Sequence, residues 1–251
     1  LSYFCSKTIN NSEDENFNNN IELVYITKTN RIKLHRNPDF SFIEYDLSNL
    51  SVVQICRKIK VYSEDEECRW FFKKLILSFS EKLEFLDIHL GWKNILRLYK
   101  GDFKYFSNNL IVLDGDAIIE FDEELKNINF QKQKNILFLP GGKRPESIFY
   151  EYLTNIDPDH DIFNSLQKDG FTQKHFIEHN PLTHPNYKNV GGEREKFKKW
   201  FNDYICFLDN ANIFEYWRKD NACLVDDFIN QFSNSYNYLA TKLLIKRINE
   251  Q

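Results

Sequence analysis

Four short apolar runs, Ile59–Tyr62, Leu83–Leu90, Leu110–Leu113 and Ile136–Leu139, punctuate the middle of the chain. Runs of this kind bounded by polar residues predict buried strands. Between them the apolar period changes to that of a helix. Cys68, Phe71, Phe72, Leu75, Ile76 and Phe79 form one stripe. A second helix follows Gly91, carries Trp92, Ile95, Leu96 and Tyr99 on one face and is capped at Gly101. Pro145 suits the first turn of a third, whose buried face is Ile148, Phe149, Tyr152 and Leu153. Ser63 with Glu66 matches a capping box, so the first helix is expected to begin inside the run Ser63-Glu64-Asp65-Glu66-Glu67. Alternation of strand and helix predicts an α/β fold with a mostly parallel sheet flanked by helices.

The flanks read differently. Residues 10–20 are a polar low-complexity loop, and Ile21–Lys28 and Ile32–Arg36 form a hairpin around Thr29-Asn30-Arg31. After Pro38-Asp39 another β-like run, Phe40–Tyr45, follows. Beyond Asp157-Pro158 the strand signal ends, and two helical stripes remain: Phe197, Trp200, Phe201, Tyr204, Ile205 and Leu208, then Leu224 through Leu244. The expected divisions are a β-rich segment at 1–55, an α/β catalytic domain at 56–157 and an all-helical region at 158–251. There is no internal repeat.

With 251 residues, 42% hydrophobic, the chain can bury a substantial core. A net charge of −4 excludes a globally basic nucleic-acid binder, so phosphate contacts would have to come from local patches. Five scattered cysteines without a CxxC pair argue against a disulfide framework or zinc finger and point to a reducing cytoplasm. No signal peptide or membrane-spanning run is evident. Because it starts at Leu1 and contains no Met, the chain is expected to be part of a longer protein.

The chemistry concentrates at two strand ends. Leu110–Leu113 ends in Asp114-Gly115-Asp116, and Ile59–Tyr62 ends in the acidic run beginning at Glu64. Alone, Asp-Gly suggests a hairpin turn and Glu64 a first-turn acid favoured by the helix dipole. The next apolar run comes about twenty residues later, which excludes a tight hairpin. If the two strands are parallel neighbours, their carboxylates gather at the carboxyl edge of one sheet, where open α/β sheets take their ligands. With no Lys or Arg beside them in those segments, their repulsion calls for a divalent cation.

Further candidates lie downstream. Gly141-Gly142-Lys143-Arg144 and Glu146 follow the fourth strand at the same edge; the segment reads as a flexible loop, or as a phosphate contact through Lys143 or Arg144 with Glu146 at a second metal position. Arg194, Lys196, Lys198 and Lys199 occupy the polar side of their helix, either as a solvated face or as contacts to a DNA backbone. His175, His179 and His184 lack a zinc-binding pattern and read as polar surface.

An acid after one strand and Asp-x-Asp after the next but one resembles the Toprim fold over about residues 56–155. Glu64–Phe72, Gly91-Trp92 and Leu113–Asp116 are similar to the Toprim domain of OLD-family ATPase–nucleases, including retron-associated anti-phage effectors. Asp65 stands where topoisomerases and primases usually carry Gly, which favours the OLD-like branch. The resemblance implies a DNA endonuclease, a hydrolase using two Mg²⁺ (or Mn²⁺) ions held by Glu64, Asp114 and Asp116, with Glu67 and Glu146 as additional acids. It implies a downstream catalytic lysine, assigned to Lys196, and nucleic-acid contacts at Lys143, Arg144, Lys198 and Lys199. It also implies an ATPase domain or subunit outside this chain, since no phosphate loop for ATP occurs within it, and assembly as a homo-oligomer or defence complex. The alternatives are another Toprim enzyme of primase or topoisomerase type, or a non-catalytic assembly module.

Overall fold

A computed structural model of the chain describes residues 3–7, 22–28, 32–36, 58–118 and 133–248. The expected polar loop at 10–20 and the expected strand Phe40–Tyr45 lie outside those residues. The chain divides into two compact units, Leu1–Arg57 and Lys58–Gln251.

In the first unit, β1 (Tyr3–Lys7), β2 (Glu22–Lys28) and β3 (Ile32–Arg36) form an antiparallel sheet in that order. The expected hairpin pairs Lys28 with Ile32 and Val24 with Arg36. Strand β1, which the hydrophobic pattern did not reveal, pairs along the other edge of β2.

The second unit is an α/β layer structure. Its sheet has the order β5-β4-β6-β7, with β4 at Ile59–Ser63, β5 at Leu83–Phe85, β6 at Leu110–Leu113 and β7 at Ile136–Phe138. Every pairing is parallel. The chain therefore steps outward from β4 to β5, crosses back over β4 to β6, and continues to β7. That reversal puts the topological switch point between the carboxyl ends of β4 and β6, where a crevice opens in such sheets.

Both faces are covered, as parallel sheets require. Val61, Leu110 and Val112 face one core, with Cys68, Phe71 and Phe72 of α1 (Glu66–Leu75) and Phe149 of α4 (Pro145–Asn155). Tyr62, Ile111 and Leu113 face the other, against Trp92, Ile95, Leu96 and Tyr99 of α2 (Trp92–Gly101). A short α3 (Phe103–Phe106) leads into β6. The period-two alternation of strand side chains divides Val112 from its neighbours Ile111 and Leu113.

The helical region continues the first core. It comprises α5 (Asp161–Leu166), α6 (Gln173–Glu178), α7 (Glu193–Asn210), α8 (Ile213–Asp220) and α9 (Ala222–Leu243). Trp70 of α1 meets Phe149 and Phe201 edge-on at 5.3 and 5.2 Å. Phe71 meets Trp217 at 5.1 Å, and Phe72 meets Phe232 at 5.7 Å. Trp200, Phe201, Tyr204 and Leu208 are the buried stripe of α7. Among the described residues no helix is long and apolar enough to cross a membrane.

One local expectation is corrected. Ser63 does not cap α1: it is the last residue of β4, and its buried hydroxyl has no hydrogen-bond partner. Asp65 is the cap, its Oδ1 accepting from the Cys68 N–H at 3.0 Å. The extended strand carries through Ser63 because its backbone pairs with β6, which leaves the turn to Glu64 and Asp65.

Candidate metal centre

Register brings the two acidic segments together. Ser63 pairs with Val112, so the chain leaving β4 through Glu64 and Asp65 runs beside Leu113 and Asp114. One carboxylate oxygen from each of Glu64, Asp65 and Asp114 lies within 4.8 Å of the other two, and all three residues are buried. Asp114 is 1% exposed, and neither of its oxygens has a hydrogen-bond partner. The structure buries it between the strand ends. Glu64 is 2% exposed, with Oε2 likewise unpartnered.

Gly115 makes this approach feasible. A Cβ there would lie 2.8 Å from the Leu139 carbonyl oxygen and 2.8 Å from the Gly142 nitrogen, both backbone atoms. Only glycine lets the β6 end lie so close to the β7–α4 loop. That loop turns through Gly141 and Gly142, both at positive φ, and delivers Glu146 to the same edge, where its Oε1 is buried and unpartnered.

The absence of neighbouring cations inferred from local sequence does not survive folding. Arg194 and Lys198, one turn apart on α7, reach into the acidic edge. An Arg194 terminal nitrogen donates to Glu64 Oε1 at 3.0 Å and to Asp65 Oδ2 at 2.8 Å. Lys198 Nζ donates to Asp65 Oδ2 at 2.6 Å and to Glu67 Oε2 at 2.9 Å. The sequence signal was present but unread: Arg194, Lys198 and Phe201 are spaced four and three apart, so they share one flank of the helix.

The electrostatics split the acids into two kinds. Burial pushes the Asp114 carboxyl well above the usual range, and Glu64, Asp65, Glu146 and Asp116 add repulsion in that order. Glu64 is also raised, chiefly by burial, with Arg194 pulling the other way. Glu146 is raised to about 7, again by burial first. Asp65 goes down: burial would raise it, but the bonds from Lys198, the Cys68 N–H and Arg194 outweigh burial. Lys198 is raised, since Asp65 and Glu67 outweigh its own loss of solvent. Cys68, whose thiol donates to the Val112 carbonyl at 3.5 Å, is raised by burial and then by Asp114, which leaves it a neutral packing group.

Not every expected residue joins. Glu64, Asp114, Glu67 and Glu146 are at the buried edge, and Asp65, passed over as a ligand in the sequence, is with them. Asp116 lies further out, half-buried, its Oδ2 3.0 Å from Arg144 Nε as an ion pair. Arg144 is thus engaged by a carboxylate rather than presented alone to phosphate. Lys143 pairs with Glu151 at 2.6 Å and Lys199 with Asp203 at 3.1 Å, both at exposed positions. The side chain of Lys196, expected to be catalytic, makes no hydrogen bond or ion pair among the described residues; Lys198 is the lysine at the edge. The helix turns Lys196 away because two residues are about 200° apart around its axis.

The histidines form a ring stack: His175 on His179 at 3.9 Å and His179 on His184 at 4.3 Å, nearly parallel. Parallel stacked rings direct their in-plane lone pairs side by side, so they do not converge on one ion. Among the described residues the grouping with the reach to hold a metal is Glu64, Asp65 and Asp114. Comparison of the chain with protein-family models, with characterised proteins and with solved structures finds no match to any of them.

Proposed function

We propose that this protein is a metal-dependent endonuclease: a hydrolase that cuts phosphodiester bonds at the carboxyl edge of its parallel sheet. The observation that carries the proposal is Asp114, a buried carboxylate with both oxygens unpartnered, facing Glu64 and Asp65 at the switch point. Buried polar groups without partners are rare, and a cluster of hard oxygen donors suits Mg²⁺ or Mn²⁺. Asp114 and Glu64 would hold the ion. When bound, such an ion supplies Lewis acidity at a phosphoryl oxygen and acidifies a water.

The chain's own groups supply the rest. Glu146, held at about 7, is placed to take or release a proton near neutral pH. Arg194 and Lys198 hold the acids in position and add positive potential where a phosphate's charge would lie. Lys143 and Lys199, at the exposed rim, suit backbone phosphates. The similarity of Glu64–Phe72 and Leu113–Asp116 to OLD-like Toprim domains extends the proposal: a DNA substrate, an ATPase partner outside this chain, and a cytoplasmic role in anti-phage defence.

Incubation with plasmid DNA and Mg²⁺ or Mn²⁺ tests this, with an ATPase partner added if one is found. Metal-dependent nicking that Asp114→Asn abolishes is expected. Cleavage that persists in Asp114→Asn, or that is indifferent to chelator, overturns the assignment. A folded, metal-binding protein that cuts neither DNA nor RNA points to the assembly-module alternative.

A further inference from the structure

We infer that Lys198 occupies the place of a second metal ion, so that the acidic edge takes one divalent cation together with a built-in ammonium. The inference rests on the metal-dependent reading above and revises its expected ion count from two to one.

The edge has two halves in different states. On one side, Asp114 Oδ1 and Oδ2 and Glu64 Oε2 are buried with no partner. On the other, the acceptors are already filled: Lys198 Nζ bridges Asp65 Oδ2 and Glu67 Oε2, and Arg194 bridges Asp65 Oδ2 and Glu64 Oε1. Asp65 and Glu67, at the cap and first turn of α1, present their carboxylates to one point, and a bridge between them is the position a second ion would take. The ammonium and an ion cannot share it, because Mg²⁺ draws its ligands in to about 2.1 Å and would have to displace donors seated at hydrogen-bond distance.

Packing holds the cations there. They project from the flank of α7, whose adjoining face is anchored by Trp200 and Phe201, each almost wholly buried. Glu64, Asp65, Glu67, Asp114 and Glu146 are five buried acids facing two cations; fully ionised they carry a net −3, which one divalent ion reduces to −1. Asp116, expected among the metal ligands, lies outside with Arg144.

Counting bound Mn²⁺ on the full chain, by electron paramagnetic resonance of the free ion and by calorimetry, tests this without reference to cleavage. The wild-type protein should bind one ion. Lys198→Met, which keeps the stem and removes the charge, should bind two, with a spin-coupled pair. Lys198→Met combined with Glu67→Gln should return to one, because the vacated bridge loses an acid. Two ions in the wild-type protein overturn the inference while leaving the metal-dependent reading intact; no ion at all overturns both. Lys198→Met that is folded by circular dichroism and still binds one ion also overturns it, and the wild-type count stands even if that variant does not fold.

Discussion

Lys198 Nζ and Asp65 Oδ2 lie 2.6 Å apart although 133 residues separate them in the chain. Through this contact the helical region completes the sheet's acidic edge. It supplies the positive charge that lets Asp65 stay ionised in a buried position. The first consequence concerns stability.

Arg194→Ala should destabilise the protein by about 2–4 kcal/mol in urea unfolding, since it strands Glu64 Oε1 and removes one of the two donors to Asp65 Oδ2. Partial exposure of the Arg194 side chain keeps the effect below that of a fully buried pair. Millimolar Mg²⁺ should recover part of the loss by binding the folded state. A change under about 0.5 kcal/mol would mean the pair is no more than a surface ion pair.

Asp114→Asn should act in the opposite direction in metal-free buffer. Removing a buried acid that has no partner should raise Tm, at roughly 2–4 °C for each kcal/mol relieved. The gain should grow as pH rises above the ordinary aspartate value of 3.8, because the raised folded-state carboxyl keeps a proton that the unfolded chain has lost. The same change should cancel the rise in Tm that Mg²⁺ gives the wild-type protein. Scanning calorimetry with and without chelator reads both signs.

Glu146 predicts a pH dependence. The side chain rises from an ordinary 4.5 to about 7 on folding, so between those values the folded chain keeps a proton that the unfolded chain has lost. Its stabilising contribution is complete below about 4.5 and is lost as pH rises through 7, for a total of roughly 3–4 kcal/mol at ~1.4 kcal/mol per pH unit. Glu146→Gln should flatten the decline in metal-free stability across that window. Metal affinity should move the other way and strengthen toward pH 8, since ligation needs the carboxylates ionised. An identical pH profile for Glu146→Gln would show that the buried acid is not what titrates there.

Nucleic-acid affinity should depend on Lys143 and Lys199, whose side chains are 53% and 48% exposed. Replacing either by Ala should leave stability within about 0.5 kcal/mol. Each loss should flatten the dependence of log affinity on log salt by about one contact. Filter-binding titrations at several salt concentrations give the slope; an unchanged slope in the double variant would place phosphate recognition elsewhere.

The elements of the second unit follow from local physics. A parallel strand buried on both faces must be apolar at every position, and Leu110–Leu113 is. A helix laid on a core must repeat its apolar residues at 3.6, and Phe71, Phe72 and Leu75 do. Those patterns are properties of short segments, so they were legible, together with the placement of Glu64 and Asp114 at two strand ends. Strand β1 was not, because Tyr3–Lys7 carries too weak an alternation and is held by pairing with β2. The Ser63 cap was misplaced for a related reason: strand pairing with β6 overrides the local capping signal.

Which of several neighbouring candidates serves the edge was decided only by tertiary structure. Asp65 enters and Asp116 does not; Lys198 enters and Lys196 does not. In composition these alternatives are equivalent. They differ in the direction each side chain takes, set by how far α7 is rotated when Trp200 and Phe201 bury and by how closely Gly115 lets two loops approach. Burial is the other quantity that sequence leaves open. Asp114 is in a polar tripeptide, yet the surrounding elements exclude solvent from it, and this turns an ordinary acidic turn into an unsatisfied carboxylate suited to a cation.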